Sequence, residues 1–294
     1  MQTIPRRCTM LLVQLAIVLS VAGCADARRV RPPARASAAA LRLHVLDCGS
    51  IGPIDPAQFG LKADEIGGDV SLVTPCYVVV HPEGTLLWDT GQVLDANIPD
   101  DGTQVVEQGI LKATRRLSSQ LAELGYSPAD IDYLAMSHHH IDHSANANAF
   151  ASSKWIVQRA EYEAMFADEQ MATPLATSYR GLKNATRVVV ENADHDVFGD
   201  GSVIVKAAPG HTPGHQILFL KLRNFGSVLL MGDLYHLPEQ KMLDRVSSFE
   251  FDAALTRATR RRVDAFIAQT GASAWIQHDP ETYAQLKKFP AYYD

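Results

Sequence analysis

The sequence predicts an α/β protein in which two β-sheets pack face to face and helices cover their outer faces. Three observations predict this class. Strand patterns alternate with helical patterns along the chain, and they do so in two similar halves. In addition, 47% of the residues are hydrophobic and 20% are charged, which is typical of a globular domain with a large core. The order in which the strands pair does not follow from these patterns.

The first half of the domain is predicted to begin with strands. Residues 41–46 alternate in polarity, and residues 77–88 form a hairpin signal around a four-residue turn. Residues 105–124 are predicted to be helical, because apolar side chains recur there at helical spacing. A short helix is predicted to open at residues 127–130, where Ser and Pro suit its first turn, and a strand covers residues 133–137.

The second half is predicted by the same criteria. Its elements are a strand at 155–157, a helix at 160–167, strands at 187–190, 203–208, 217–221 and 228–232, a helix at 252–270, and a strand at 274–276. The last strand ends just before His278.

Residues 1–24 are predicted to be a signal peptide. Arg6 and Arg7 precede an apolar run that ends at Gly23 and is shorter than the about 20 residues needed to span a bilayer. The run ends in Val21-Ala22-Gly23-Cys24, which resembles the bacterial lipobox. This resemblance implies export, a lipid on Cys24 and an anchor in the outer membrane facing the periplasm. The alternative is plain secretion, periplasmic or extracellular, with cleavage after Ala27.

Residues 25–40 are predicted to be a flexible tether, and residues 41–294 a single acidic domain. The whole chain carries a net charge of −6, and losing Arg6 and Arg7 with the signal peptide changes it to −8. The tether carries +3, so residues 41–294 stand at −11. An acidic domain is a poor partner for phosphate backbones, which argues against nucleic acid as a partner.

Two cysteines, Cys48 and Cys76, lie within the predicted domain. Each lies at one end of an apolar strand pattern, which favours two buried thiols. Pairing in an oxidising compartment stays open, because the sequence does not show whether the two side chains can reach each other.

The strongest chemical signal is the run Ser137-His138-His139-His140-Ile141-Asp142-His143. At the end of a strand, His138 and His140 point to the same side and can reach one metal ion. On a helix they would diverge by about 200°. Asp142 and His143 follow the turn and can address a second ion. Imidazole and carboxylate ligands suit zinc, and also manganese, iron or cobalt.

This run resembles the H-x-H-x-D-H signature of the metallo-β-lactamase superfamily. Four further motifs match that superfamily in the same order, and they are Trp88-Asp89-Thr90-Gly91, residues 209–215, Met231-Gly232-Asp233 and Ile276-Gln277-His278-Asp279. The resemblance implies that residues 41–294 form a four-layer αβ/βα sandwich with a catalytic metal centre. It also implies that Asp89 supports the loop that carries the metal ligands.

The resemblance further implies a binuclear zinc site. The first zinc ion takes His138, His140 and His211, the second takes Asp142, His143 and His278, and Asp233 bridges both. A hydroxide that bridges the two ions then attacks an electrophilic carbonyl. His139 is expected to point away from the metals, and His215 to fix the loop that carries His211.

Within the superfamily, the chain is similar to the N-acyl-homoserine lactonases, the quorum-quenching branch. The similarity is carried by residues 46–50, by Pro75-Cys76-Tyr77 and by a V-Q-x-x-E-Y stretch at residues 157–162. It implies a hydrolase that opens a small-molecule lactone. Well-known members place a carbonyl-holding Tyr three residues after the bridging Asp. Here Tyr235 is two residues after Asp233 and His236 is three after it, so Tyr235 joins Asp142 and Asp233 as a candidate catalytic residue and His236 stays open.

Several alternatives remain. The apolar side chains of residues 51–74 either line a groove for an acyl chain or simply cover the core. The same site could serve another ester, a thioester or a phosphotriester, or the chain could be a non-catalytic zinc-binding lipoprotein. A homodimer is also left open.

Overall fold

The computed structural model describes residues 40–294. The predicted signal peptide, the lipid site at Cys24 and the tether as far as residue 39 lie outside the described residues. Within the described range, no helix combines the length and apolar character that a membrane span requires.

The described strands are short, apart from the first two. They are β1 (Arg42–Ile54), β2 (Val70–His81), β3 (Gly84–Trp88), β4 (Val105–Glu107), β5 (Leu111–Ala113), β6 (Tyr133–Ala135), β7 (Lys154–Gln158), β8 (Arg187–Val190), β9 (His195–Asp196), β10 (Val203–Ala207), β11 (Gln216–Leu222), β12 (Gly226–Leu230) and β13 (Ser273–Trp275). The described α-helices are α1 (Ala63–Ile66), α2 (Leu117–Glu123), α3 (Ile141–Ser144), α4 (Arg159–Phe166), α5 (Asp168–Met171), α6 (Pro238–Met242), α7 (Ala253–Thr270) and α8 (Pro280–Gln285).

The strands form two sheets. The first has the order β4-β5-β1-β2-β3-β6-β7-β8, and the second has the order β13-β12-β11-β10-β9. Strands β3, β6, β7 and β8 run parallel to one another, and β12 runs parallel to β13, whereas all other neighbouring strands pair antiparallel. Parallel neighbours bring the carboxyl ends of strands to one edge of a sheet, and the loop of residues 136–143 leaves β6 at such an end.

The core lies between the two sheets. Val45 and Trp88 of the first sheet share one buried cluster with Val205, Leu218 and Leu230 of the second. Two further clusters cover the outer faces, where helices α2 and α4 pack on the first sheet and α7 packs on the second. The result is four layers in the order helix, sheet, sheet, helix, which confirms the predicted fold class.

Strand β1 is bent, and the bend places its second half at the functional site. The pairing of β1 with β2 shifts register twice, between Asp47 and Ser50 and between Ile51 and Ile54. Gly49 has φ +115°, and a Cβ atom there would lie 2.3 Å from the carbonyl oxygen of Lys112. Only glycine allows β5 to approach so closely. The bend lets β1 pair with both β2 and β5.

The prediction of one helix over residues 105–124 is wrong for its first part. Strands β4 and β5 form a hairpin there, and only Leu117–Glu123 is helical. The turn uses Gln108 and Gly109, both with positive φ. Because β5 finds a partner in β1, pairing with an existing strand outweighs the weak helical period.

Cys48 and Cys76 form a disulfide with a sulfur–sulfur distance of 2.01 Å. The expectation of two free thiols is therefore wrong, although both side chains are buried as predicted. The bond links the neighbouring strands β1 and β2 across a separation of 28 residues, and a loop of that length corresponds to roughly 3–4 kcal/mol of stabilisation. Cys48 also packs under the loop after Asp89, where a Cβ atom on Gly91 would lie 3.1 Å from Cys48 Cβ.

Candidate metal centre

The first group of candidate ligands comes from three loops at one edge of the two sheets. His138 Nε2 lies 2.8 Å from His140 Nδ1, and His211 Nε2 lies 3.1 Å from the same His140 atom. The Oδ2 atom of Asp233 lies 3.6 Å from His138 Nε2 and 3.4 Å from His211 Nε2. Four donor atoms thus surround one point, as the sequence predicts for the first metal ion.

The second group lies beside the first and shares Asp233 with it. The Oδ1 atom of Asp233 lies 3.2 Å from His143 Nε2 and 3.0 Å from His278 Nε2. The Oδ2 atom of Asp142 lies 3.3 Å and 3.4 Å from those two nitrogens. Asp233 therefore directs one carboxylate oxygen to each group, which is the geometry of a bridging ligand.

These residues fit divalent cations. Asp233 Oδ1 is buried without a hydrogen-bond partner among the described residues, so a cation would satisfy it. Burial, followed by the neighbouring charge of His143, holds the pKa of His138 well below its usual value. Burial also lowers the pKa of His140 to about 4. Both imidazoles are thus neutral at pH 7, which is the form that binds a metal.

Asp89 orients the second group of ligands through hydrogen bonds without being a ligand itself. Its Oδ1 accepts a hydrogen bond from Ser137 N (2.6 Å), and its Oδ2 accepts from His143 Nδ1 (3.0 Å) and from Gln277 Nε2 (2.6 Å). Asp89 is held at φ +60°, which is uncommon for a residue other than glycine. His278 has its own partner, because its Nδ1 donates to the carbonyl oxygen of Val73 at 2.7 Å. Such contacts fix the tautomer and the direction of a ligand.

His215 holds the turn that carries Asp233. Its Nδ1 donates to the carbonyl oxygen of Ala208 at 3.0 Å, and its Nε2 accepts from Asp233 N at 2.9 Å. Gly232 has φ +49°, and a Cβ atom there would lie 2.6 Å from His215 Nε2. His215 therefore contacts the start of the loop that carries His211, as expected, and also the turn that carries Asp233; it does not belong to either group of donor atoms.

Glu161 joins the loops of His138 and His211, a role that the sequence did not reveal. It accepts hydrogen bonds from His139 Nδ1 (2.6 Å), Thr212 Oγ1 (2.6 Å) and Gly214 N (2.9 Å). Burial alone would raise its pKa, but these bonds lower it to about 2. His139 thus points away from the metals into a structural bond. The V-Q-x-x-E-Y stretch was the available signal, since it contains Glu161.

The side chains of Tyr235 and His236 point in different directions. The Tyr235 hydroxyl lies 3.5 Å from Asp264 Oδ2, and the Tyr235 ring packs under the guanidinium of Arg260. Tyr235 is therefore turned toward α7 and does not line the cavity beside the metal ligands. His236 does line that cavity, and its Nε2 lies 3.1 Å from Asp233 Oδ2. On this geometry Tyr235 does not fit the catalytic role expected of it, and His236 is the residue that faces the cavity.

A cavity of about 670 Å³ opens above the ligands. Its floor includes His140, Asp142 and Asp233. Its walls are largely apolar and include Ile51, Ile54, Phe59, Leu72, Ile110, Leu111, Leu175 and Phe249. Of the apolar side chains in residues 51–74, Ile51, Ile54, Phe59 and Leu72 line the cavity, whereas Leu61 and Val70 are buried in the core and do not line it. Part of this segment therefore lines an apolar cavity, and part of it covers the core.

Comparisons with known proteins agree with this geometry. A sequence model described as the metallo-beta-lactamase superfamily matches residues 71–272. The chain is 28% identical over 263 residues to the N-acyl homoserine lactonase AttM of Azorhizobium caulinodans, covering 86% of this chain and 99% of that protein. It is 32% identical over 222 residues to the N-acyl homoserine lactonase AiiA of Bacillus thuringiensis subsp. kurstaki, covering 74% and 85%.

The chain is also similar to a solved structure of such an enzyme. That structure is of an N-acyl homoserine lactone hydrolase with the product N-hexanoyl-L-homoserine bound at the catalytic metal center. The TM-score is 0.70 at 28% sequence identity, and the match covers 86% of this chain and 99% of that one.

Proposed function

The chain belongs to the metallo-β-lactamase superfamily, and from this premise we propose that it is a binuclear metal-dependent hydrolase that opens the ring of N-acyl-homoserine lactones. One observation carries the proposal: Asp233 divides its two oxygens between two ligand groups at the floor of an apolar cavity. Its relatives AttM and AiiA are N-acyl homoserine lactonases and match most of the chain.

The ligand chemistry favours zinc. His138, His140 and His211 with Asp233 Oδ2 would hold one ion, and the remaining ligands with Asp233 Oδ1 would hold the other. Imidazole nitrogen with a minority of carboxylate oxygen is the donor set that zinc prefers. When bound, two divalent cations supply an activated water and polarise the substrate carbonyl.

Side chains that line the cavity are proposed to transfer the proton and to bind the carbonyl oxygen. Hydrolysis adds one water across the ring ester, so the carbonyl carbon gains an oxygen while the ring C–O bond breaks. The Asp142 carboxylate lines the cavity and is only partly buried, so it can receive the proton that water loses. The same group can return that proton to the ring oxygen as this oxygen leaves.

His236 is proposed to hold the carbonyl oxygen of the substrate. Its ring faces the cavity, and the Ser247 hydroxyl, 3.3 Å from His236 Nδ1, can donate to that atom. The ring proton then lies on Nε2, the atom that would donate to the carbonyl oxygen. The His236→Ala variant is expected to lose about 10²-fold in kcat/KM while keeping two cations per chain, since one hydrogen bond to the reacting oxygen is removed.

Tyr235→Phe is the matched control for this prediction, because it removes a hydroxyl one residue away that faces α7. Steady-state kinetics on one lactone should show near wild-type turnover for Tyr235→Phe. Equal losses in both variants, or none in His236→Ala, would contradict the role given to His236.

The apolar walls suit the acyl chain of the substrate. Ring opening should be measured by mass spectrometry on N-acyl-homoserine lactones with C4 to C12 chains, beside a p-nitrophenyl ester and a phosphotriester. We expect all the lactones to be opened and kcat/KM to rise with chain length, because longer chains bury more apolar surface. Turnover of only the ester or the phosphotriester, with every lactone intact, would contradict the lactonase proposal. The proposal of a metal centre would not be affected.

Export with a lipid anchor at Cys24 forms part of the proposal. The Cys48–Cys76 disulfide supports export, because such bonds persist in oxidising compartments outside the cytosol. In a bacterial host, the full-length protein is expected in the membrane fraction and the Cys24→Ala variant in the soluble fraction, as followed by immunoblot. Cys8→Ala is the matched control and should behave like the unaltered protein. The same distribution for Cys24→Ala and the unaltered protein would contradict the anchor.

A further inference from the structure

Glu250 lies in the segment between α6 and α7, directly beside the loop that carries His211. Two backbone hydrogen bonds hold the segment there, from Phe251 N to His211 O (3.0 Å) and from Asp252 N to Gly210 O (2.9 Å). Asp252 then caps α7 through hydrogen bonds from Ala254 N and Leu255 N. The position of Glu250 is therefore set by the contacts of the two residues that follow it.

The Glu250 side chain is buried without an evident structural reason. It is 1% exposed, and its Oε2 accepts a hydrogen bond from Thr256 Oγ1 at 2.7 Å. Its Oε1 has no hydrogen-bond partner among the described residues, and neither has His211 Nδ1. These two buried atoms face each other at 3.5 Å, within ion-pair range but beyond a well-formed hydrogen bond. Burying a carboxyl group is costly unless it has a partner, which points to a role for this pair.

We propose that Glu250 is the positioning residue for His211. It accepts the Nδ1 proton of His211, which fixes the tautomer and leaves Nε2 free to bind the first metal ion. This inference rests on the metal centre of the proposed function, but not on the identity of the substrate. Each ion site would then have one carboxylate support, since Asp89 accepts from His143 in the second site and Glu250 would accept from His211 in the first.

The support acts on only one of the two sites. Among the described residues no hydrogen bond or ion pair joins Glu250 to His138 or His140, and the His278 ring is held by Val73. An acceptor behind a metal-binding imidazole raises its basicity, and losing it lowers metal affinity by about 10–100-fold. Glu250→Gln keeps the shape of the side chain and removes its charge. It should therefore lower the affinity for one zinc ion by about that factor and leave the affinity for the other unchanged.

The test measures zinc affinity, not turnover. The purified full protein and its variants are titrated with zinc against a chromophoric chelator, and thermal unfolding of the metal-free proteins is recorded beside it. Glu250→Met serves as a second variant, because it removes the charge without leaving an unpaired amide. Asp264→Asn is the matched control, as it removes a half-exposed carboxylate that contacts Lys241 and Tyr235.

The expected result is one weakened zinc site in both Glu250 variants and two unchanged sites in Asp264→Asn. Two unchanged dissociation constants in Glu250→Gln would overturn the proposal. So would an equal loss at both sites with a lowered melting temperature, since that pattern belongs to a general structural role. Absence of lactone turnover in the unaltered protein would count against the proposed substrate and would leave this result standing.

Discussion

Replacing Asp233 with alanine is expected to reduce lactone turnover by about 10³-fold or more and to release at least one of the two cations. Asp233 is the residue whose oxygens serve both ligand groups, and they lie 3.0–3.6 Å from the Nε2 atoms of His138, His143, His211 and His278. A two-cation site supplies several kcal/mol of transition-state stabilisation, which corresponds to a rate factor of this size. Metal content by mass spectrometry and steady-state kinetics measure the two effects.

His195→Ala is a suitable control for that experiment. It removes an imidazole from β9, on the edge strand of the second sheet and outside both ligand groups. It should keep two cations and full turnover. An Asp233→Ala protein that retains both cations and wild-type kinetics would exclude the bridging role.

Replacing Asp89 with alanine is expected to have the second largest effect, and to act on folding as well as on metal binding. The substitution leaves Ser137 N, His143 Nδ1 and Gln277 Nε2 without their shared buried acceptor. Breaking a buried charged contact of this kind costs about 3–5 kcal/mol of the free energy of unfolding. Since His143 loses its orienting partner, the second cation should also bind about 10–100-fold more weakly.

Chemical denaturation of the metal-free protein and zinc titration measure these two effects. Asp89→Asn is the matched control, because its amide oxygen can still accept from Ser137 N, and it should lose less stability than Asp89→Ala. Unchanged stability and unchanged zinc affinity in Asp89→Ala would show that the loop of residues 137–143 does not depend on this support.

Much of the fold and of the ligand set could be predicted from the sequence, for a physical reason. Strands such as β7 and β11 and the helix α7 carry their own periodic patterns, so neighbours in the chain specify them. The motif of residues 138–143 places its ligands through spacing at one strand end. His211, Asp233 and His278 were expected only from the resemblance to the metallo-β-lactamase superfamily, and the structure brings them together with the ligands of that motif.

The features that were missed depend on contacts between distant segments. The hairpin of β4 and β5 forms because β1 offers it an edge, and the Cys48–Cys76 bond forms because β1 and β2 are neighbours. Whether Tyr235 or His236 faces the cavity depends on the turn after Asp233, which His215 holds. Glu250 is recognised only once its segment is seen beside His211. None of these partners lies within a local pattern of the chain.

The most direct test of the central claim is lactone ring opening measured against the number of cations bound per chain. The metal-free protein is titrated with zinc, and the ring-opened product of N-hexanoyl-homoserine lactone is followed by mass spectrometry. The account predicts no ring opening above the uncatalysed rate without metal and full turnover as occupancy approaches two ions per chain. Full turnover by the metal-free protein, or an intact lactone at two bound ions, would contradict it.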